Sequence, residues 1–214
     1  MHVKKFMYLN RPPWFLQKWY SKAIWKGKDE KAVYLTFDDG PHPEITPFVL
    51  DELKKVNAKA TFFCIGKNVQ QHFDLYKRII DEGHSVGNHT QHHLNGWKTS
   101  DEIYLNDIKE AKMYIDSKLF RPPYGRISKF QMSQLDAQAF KLRCVMWSLL
   151  SGDFDVNLSV EKCREQLLLK SRGGDIVVFH DSEKAFKRLS VALPVFLQHC
   201  QDEKWRFAKI DELL

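Results

Sequence analysis

The sequence has no long apolar run. No stretch of its 214 residues approaches the roughly 18 consecutive apolar residues that a membrane-spanning helix needs. A secretory signal peptide would need an apolar core near the N-terminus, and Arg11, two prolines and Lys18 interrupt every candidate. The sequence alone therefore predicts a cytoplasmic or peripheral protein that carries no export signal.

Cysteine is scarce and is never closely paired. The four cysteines are far apart in the sequence, at Cys64, Cys144, Cys163 and Cys200. None of them forms the CxxC pair that zinc ribbons and redox motifs use. We therefore expect four partly buried free thiols, which is how unpaired cysteine usually behaves.

Acidic residues are missing from the first 28 positions. This segment contributes a charge of +7, whereas the whole chain carries +6, so the rest of the chain has a net charge of −1. A nucleic-acid-binding protein is expected to show a basic face on its folded body and a recognisable binding module. Because the sequence has neither, we expect no nucleic-acid partner.

The same basic segment carries apolar residues at helical spacing. They recur at i, i+3, i+4 and i+7 and predict a helix within residues 14–26; they are Leu16, Trp19, Tyr20 and Ala23. Such a stripe usually packs on the protein's own core, here across the end of the domain. Trp and Lys together are also typical of peripheral contact with a membrane or cell wall, here through residues 1–28. We treat residues 1–30 as an N-terminal arm and residues 31–214 as the folded domain.

The folded domain alternates strand-like and helix-like segments. The hydrophobic fraction of 43% and the charged fraction of 28% are ordinary for a soluble domain. Short β-branched and aromatic runs predict strands at 32–37, 60–65, 85–88, 144–148, 175–179 and 205–208. Amphipathic segments between them predict helices at 46–56, 69–81, 100–118, 128–138, 159–169 and 191–200. Repeated strand-helix units indicate a parallel sheet, either closed into a barrel or open and doubly wound.

Polar side chains that can do chemistry follow the predicted strands. They are Asp38, Asp39, His89, His93, Asp153 and His180. In a parallel barrel the carboxyl ends of all strands meet on one face. We therefore expect these residues to converge there, although they are far apart in the sequence.

Two histidines in this set have the spacing of metal ligands. His89 and His93 are four residues apart, which can place two imidazoles on one side of a helical turn. On spacing alone, a structural or solvated pair is an equally open interpretation. A third ligand from Asp38 or Asp39 would complete a three-ligand site with an open position for water. His92, between the two, is expected to point away.

The adjacent carboxylates Asp38 and Asp39 need a positive partner. Side by side they repel each other, so without a cation or an arginine one of them tends to take up a proton. One carboxylate can bind a metal while the other accepts a proton from the attacking water. Asp-Gly is also common in tight turns, so a purely structural role for residues 36–40 stays open at this point.

Five short segments, in order along the chain, resemble the motifs of one enzyme family. The family is that of the polysaccharide deacetylases, also called the NodB-homology domain or carbohydrate esterase family 4. The segments are TFDDG at 36–40, HTQHH at 89–93, RPPYG at 121–125, DF at 153–154 and VFH at 178–180. Five ordered motifs are far more specific than any one of them, and they span nearly the whole predicted barrel.

The resemblance implies a fold, a reaction and a metal. The expected fold is a distorted (β/α) barrel, with parallel strands inside and helices outside. The expected reaction is the hydrolysis of an N-acetyl group on an amino sugar. By resemblance, Asp39, His89 and His93 are the ligands of a divalent metal, for which we expect Zn²⁺, and Asp38 is the general base.

Four further roles follow from the same resemblance. Arg121 corresponds to the arginine that holds the base carboxylate, and the backbone N–H of Tyr124 corresponds to an oxyanion donor. His180 corresponds to the general acid. Asp153 corresponds to the carboxylate that orients this histidine, with Asp155 as a second candidate. A tetrahedral oxyanion needs positive partners and an amine leaves only when protonated, so each role also makes chemical sense.

The sequence departs from the family pattern at three positions. Phe154 stands where the family usually has Trp, Val178 where it usually has Leu, and Leu150 where many members have another Asp. Phenylalanine still offers an apolar wall for an acetyl methyl group. The shape of the pocket and the preferred acyl group stay open.

We therefore expect a metal-dependent deacetylase of a glycan that contains N-acetylglucosamine, either peptidoglycan or a chitin-type oligosaccharide. One alternative is an amidase or deformylase that acts on a small or lipid-linked amide through the same metal site. Another is a carbohydrate-binding protein without turnover. The family commonly acts on extracytoplasmic glycans, which contrasts with the lack of an export signal.

Overall fold

The computed structural model describes residues 9–214, so residues 1–8 of the predicted arm lie outside this range. Eight strands are present in this part of the chain: β1 (Ala32–Asp38), β2 (Thr61–Cys64), β3 (Ser85–Asn88), β4 (Leu119–Phe120), β5 (Arg143–Cys144), β6 (Leu149–Leu150), β7 (Ile176–His180) and β8 (Arg206–Phe207). The helices are α1 (Trp14–Trp19), α2 (Ile45–Lys55), α3 (Gly66–Gln71), α4 (Phe73–Asp81), α5 (Asp101–Ala111), α6 (Lys129–Gln134), α7 (Val160–Lys170) and α8 (Glu183–Asp202). Two short 3₁₀ helices span Pro123–Gly125 and Ile210–Leu213.

The strands form one curled parallel sheet. Their order is β5-β4-β3-β2-β1-β7-β6, and β8 pairs in parallel with the start of β1. The distorted (β/α) barrel is thus confirmed, and an open doubly wound sheet is excluded. The barrel does not close between β5 and β6. In this gap the backbone of Ile24 bridges to Val145, and that of Lys26 bridges to Asp175.

Strand β1 lies in the interior of the sheet, between β2 and β7, because it is mostly apolar, with Thr36 and Asp38 as its polar residues. All seven of its residues are buried. Within it, Phe37 stacks on Phe62 of β2 at 5.0 Å and on Phe179 of β7 at 5.7 Å between ring centroids. Burying one such side chain stabilises the fold by about 1.5 to 3 kcal/mol. This packing fixes the three strands that end at the site described below.

The arm helix is shorter than predicted. It ends at Trp19, residues 20–23 form a turn, and the chain then makes strand-like bridges at Ile24 and Lys26 instead of continuing as a helix to residue 26. Backbone pairing overrides the helical stripe, because the N–H of Ile24 donates to Cys144 and its carbonyl accepts from Met146. Tyr20, Ala23 and Trp25 are buried in an apolar cluster with Phe120 and Ile127, whereas Trp14, Phe15 and Trp19 are exposed.

Other predicted boundaries also change. The helix predicted at 69–81 is two helices, α3 and α4, which are separated at His72. The helix predicted at 191–200 begins eight residues earlier, and the two-residue strand β4 was not predicted. All four cysteines are free and buried, as expected for unpaired thiols. None of the helices within residues 9–214 has the length and apolar character that crossing a membrane demands.

Candidate active site

The polar residues predicted for the site lie together at the carboxyl ends of the strands. Asp38 ends β1 opposite His180, which ends the neighbouring strand β7. His89 follows β3, and Arg121 follows β4, the next strand in the sheet. Arg121 contacts both the metal-ligand candidate His89 and the base candidate Asp38. The convergence predicted from the strand ends is therefore observed.

Asp39, His89 and His93 form the candidate metal centre. Oδ1 of Asp39 lies 3.2 Å from Nε2 of His93 and 3.8 Å from Nε2 of His89. One ligand atom from each residue lies within 4.8 Å of the other two. Nδ1 of His89 lies 2.7 Å from the carbonyl oxygen of Arg121. Because a carbonyl only accepts, this nitrogen carries the proton, which leaves Nε2 free to bind a metal.

The protonation states of this group suit a metal site. Burial opposes the charged form of Asp39, but the hydrogen bond from His93 and the charge of His180 outweigh it and hold its pKa well below the usual range. Burial lowers the pKa of His89 to about 4, so its imidazole is neutral. An ionised carboxylate and a neutral imidazole are the forms that bind a divalent metal. The donor set therefore fits a three-residue site with an open position.

Arg121 holds the carboxylate of Asp38. The guanidinium is fully buried, and its Nη1 donates to Oδ1 of Asp38 and to the hydroxyl oxygen of Thr36, both at 2.7 Å. Its Nη2 donates to the carbonyl of Met146, and its Cζ lies 4.1 Å from the ring centroid of Phe63. The guanidinium thus places a fixed positive charge against this buried carboxylate. Within the described part of the chain, Oδ2 of Asp38 has no hydrogen-bond partner, so this oxygen can accept a proton.

Asp153 holds His180 and favours its protonated form. Nδ1 of His180 lies 2.8 Å from Oδ1 of Asp153, and the backbone N–H of His180 donates to Oδ2 at 2.8 Å. Burial would lower the pKa of His180, but the Asp153 carboxylate and its hydrogen bond outweigh burial and raise the pKa to about 9. Asp155, the other candidate, instead accepts from the backbone of Asn157. The ring of Phe154 lies 5.1 Å from that of His180.

Tyr124 flanks the metal-ligand group. Its ring centroid lies 4.6 Å from that of His93, and the residue is mostly exposed. Its backbone has a φ of 59°, in the left-handed region that costs a side-chain-bearing residue energy. Four of the seven described non-glycine residues with positive φ belong to the site segments: Asp39, Thr90, His93 and Tyr124. Strained backbone concentrates at functional sites, and here it marks three of the predicted residues.

Sequence reasoning missed Asp107, which holds the loop that contains the histidines. Its Oδ2 accepts from the backbone N–H groups of Gln91 and His92, and its Oδ1 lies 2.7 Å from Nδ1 of His92. This contact turns His92 away from the ligand group, as predicted. The available signal was a carboxylate on the apolar stripe of a helix, because Asp107 is buried in α5 between Tyr104 and Ala111.

Asp181 was also missed, and it holds the turn after β1. Its Oδ1 accepts from the backbone N–H of Gly40 at 3.0 Å, and its Oδ2 accepts from the hydroxyl of Thr46. Burial and the nearby charge of Asp39 raise the pKa of Asp181 to about 8. A tight contact explains Gly40, since a Cβ there would lie 2.0 Å from Oδ2 of Asp181. The turn that carries Asp39 is thereby fixed to the end of β7.

With this geometry in place, comparison with known proteins identifies the family. Residues 26–141 match the family described as polysaccharide deacetylase. The chain belongs to the polysaccharide deacetylase family. It is a family of metal-dependent deacetylases, and the resemblance inferred from the five motifs is confirmed.

Similar proteins have related names. A peptidoglycan-N-acetylglucosamine deacetylase of Bacillus cereus is 36% identical over 192 residues, covering 87% of this chain and 89% of that protein. A chitooligosaccharide deacetylase of Rhizobium leguminosarum bv. trifolii is 35% identical and covers 72% of this chain and 74% of its own. The crystal structure of the Bc1960 peptidoglycan N-acetylglucosamine deacetylase, in complex with an N-oxidanyl-benzamide, aligns with a TM-score of 0.85 at 30% identity, covering 92% of this chain and 95% of that one. These relatives give no support to an amidase or deformylase of small amides.

Proposed function

We propose that this protein is a metal-dependent hydrolase that removes the N-acetyl group from N-acetylglucosamine in a glycan, with peptidoglycan as the principal substrate class and chitin-type oligosaccharide as the other. One observation carries the proposal. Beside a three-residue ligand group, two residues that end adjacent strands are each held by a buried partner of opposite charge, Asp38 by Arg121 and His180 by Asp153. Binding alone would not need this arrangement, whereas amide hydrolysis needs both a base and an acid.

Asp39, His89 and His93 would hold the metal, for which we propose zinc. Two imidazoles and one carboxylate are a common ligand set of catalytic zinc sites. When bound, the ion would supply Lewis-acid polarisation of the acetyl carbonyl and would acidify the attacking water.

Asp38 starts the reaction as the general base. Oδ2 of Asp38 takes a proton from water as the water oxygen attacks the acetyl carbon. Arg121 holds Asp38 in position before the attack, and its three other hydrogen bonds and its contact with the ring of Phe63 keep the guanidinium from moving toward the substrate. The backbone N–H of Tyr124 is proposed to donate to the oxyanion that forms.

His180 completes the reaction as the general acid. It donates a proton from Nε2 to the amide nitrogen as the carbon–nitrogen bond breaks, so that the sugar leaves as an amine and the acyl group leaves as acetate. Asp153 keeps Nδ1 paired and stabilises the protonated ring. We propose that the ring of Phe154, which lies beside His180, contacts the acetyl methyl group.

The test is acetate release together with metal content. The purified protein should contain about one divalent ion, and it should release acetate from N-acetylated glycan strands or from chitotetraose. Removal of the metal with a chelator should abolish the release, and zinc should restore it. His89→Ala should lose the metal, whereas the control His92→Ala, whose side chain faces Asp107, should retain it.

Two results would contradict the proposal. Acetate release that survives complete metal removal would exclude the metal-dependent mechanism. Tight glycan binding by the metal-loaded protein without any acetate release would favour the carbohydrate-binding alternative.

A further inference from the structure

Arg126 lies at the rim of the candidate active site and is not part of the acid-base machinery. It follows Tyr124 by two residues, and two residues span at most about 7 Å, so the Cα atoms of both lie on the same rim. Its guanidinium carbon lies 4.1 Å from the ring centroid of Trp97. Trp97 itself follows the ligand candidate His93 by four residues.

Trp97, on which Arg126 stacks, is held in place. The indole Nε1 of Trp97 donates to the carbonyl of Ile127 at 3.0 Å, and the backbone N–H of Gly96 donates to the carbonyl of Arg126 at 3.2 Å. A Cβ on Gly96 would lie 2.5 Å from that same carbonyl oxygen. The loop after His93 and the loop after Arg121 therefore pack directly on each other. Stacking on a fixed indole limits the conformational freedom of the guanidinium.

The charge of Arg126 has no acidic partner within residues 9–214. Its side chain is exposed, and no hydrogen bond or ion pair to the guanidinium forms in this part of the chain. Three other arginines contrast with it: Arg78 pairs with Asp51, Arg121 with Asp38 and Arg206 with Asp29. A planar guanidinium that is already oriented and has free N–H groups is suited to bidentate binding of a carboxylate.

We infer that Arg126, held on Trp97, binds a carboxylate carried by the sugar next to the reacting N-acetylglucosamine. The site then favours an acidic glycan over a neutral one. In peptidoglycan the neighbouring sugar carries a lactyl ether whose carboxylate is free when no peptide is attached, whereas chitin-type chains have no carboxylate. This inference rests on the proposed function and specifies its substrate class. Arg126 thus determines specificity and takes no part in proton transfer.

The test compares three substrates that differ in charge. They are a peptide-free tetrasaccharide of alternating N-acetylglucosamine and N-acetylmuramic acid, the same compound with its carboxylates converted to methyl amides, and chitotetraose. For the holoenzyme we expect the highest kcat/KM on the acidic compound. Arg126→Gln should lower kcat/KM on that compound by about 10- to 100-fold, the range for losing a hydrogen bond to a charged group, and mostly through KM. On the two neutral compounds the same variant should change little.

Two variants separate specificity from structure. Arg126→Lys keeps the charge and should recover part of the lost preference. Arg143→Gln is the matched control, because Arg143 is an exposed arginine at the amino end of β5, the end away from the site. It should behave like the unmodified protein on all three substrates.

The inference is overturned if Arg126→Gln lowers kcat/KM equally on all three substrates, or if it leaves the preference for the acidic compound unchanged. Calorimetric binding of the acidic tetrasaccharide keeps this test independent of turnover. If no substrate releases acetate, the proposed function fails, while weaker binding by Arg126→Gln than by Arg143→Gln still supports the carboxylate contact. Equal binding by these two variants overturns it.

Discussion

Asp38 and His180 share a register position in adjacent strands, and we propose opposite roles for them in proton transfer. The two residues have different charged partners, which are a buried guanidinium for Asp38 and a buried carboxylate for His180. Different charged partners beside two neighbouring titratable groups are a usual basis for dividing acid and base roles. Each of the two residues is therefore ready for its step before substrate binds.

Replacing Asp153 should change the pH dependence of the reaction. The general acid works only when protonated, so activity is present below the pKa of His180 and is lost as the pH rises through it. Without the carboxylate, burial dominates and the pKa of His180 falls from about 9. Asp153→Asn should therefore move the alkaline limb of kcat/KM to lower pH by about one to three units, the usual effect of one close opposite charge.

The pH profile of kcat/KM is the measurement, and Asp155→Asn is its control. Asp155 lies two residues away and contacts the backbone of Asn157 instead of His180, so its replacement should leave the limb in place. The apparent pKa values belong to the coupled site as a whole. An alkaline limb that is identical in Asp153→Asn and the unmodified protein would contradict the role of His180.

Among the structural elements, those with a strong local pattern were predicted well. The strand predicted at 85–88 coincides with β3, and the strand predicted at 32–37 differs from β1 by one residue. The mostly apolar run of β1 is typical of a buried parallel strand. Strand β4 has only two residues, too few to show any periodicity. Helix α8 was predicted too short because its first turns are rich in charge and it contains Pro194.

In the segment after α1, backbone pairing with a distant part of the chain overrides the local helical pattern. Residues 20–23 continue the helical stripe, but Ile24 gains backbone pairing with residues 144–146 in the open gap of the barrel. No local signal reveals a partner about 120 residues away. The division of the chain at residue 30 stays a prediction, and Trp25, buried in the second apolar cluster, lies on the arm side of it.

Two tryptophans of this segment should differ sharply in their effect on stability. Trp25 is 8% exposed and its Nε1 donates to the carbonyl of Tyr20, whereas Trp14 is 74% exposed. Trp25→Ala should lower the free energy of unfolding by about 3 to 5 kcal/mol, as buried Trp→Ala changes usually do. Trp14→Ala should change it by less than about 0.5 kcal/mol. Denaturant unfolding of both variants checks this, and equal losses would contradict the packing described here.

The same pair of variants bears on the contact of the arm with a membrane or cell wall, which stays a prediction. Trp14, Phe15 and Trp19 are exposed beside Lys18, so this surface has the composition of an interfacial contact. If Trp14→Ala reduces sedimentation with anionic vesicles while its stability is unchanged, the surface contact is supported. Unchanged sedimentation of Trp14→Ala would argue against it.

For the molecule as a whole, the candidate site was predictable because its residues lie in five short ordered motifs at strand ends. The supporting residues were not, since Asp107, Asp181 and Arg126 act through contacts that only the folded chain creates. Asp107 is 14 residues from the ligand candidate His93 and lies on a helix outside every motif. The folded barrel therefore fixes the position of each loop, which the motifs alone do not show.

The role of Asp38 as general base is tested most directly by kcat/KM for acetate release by Asp38→Asn, with metal content measured in the same samples. Asparagine keeps the size of the side chain and its contact with Arg121, but it cannot accept the proton of the attacking water. We expect kcat/KM to fall by roughly 10²- to 10⁴-fold, the usual range for losing a general base, while the metal stays bound. If Asp38→Asn retains its metal and more than about a tenth of the original kcat/KM, the base lies elsewhere and the mechanism proposed here is wrong.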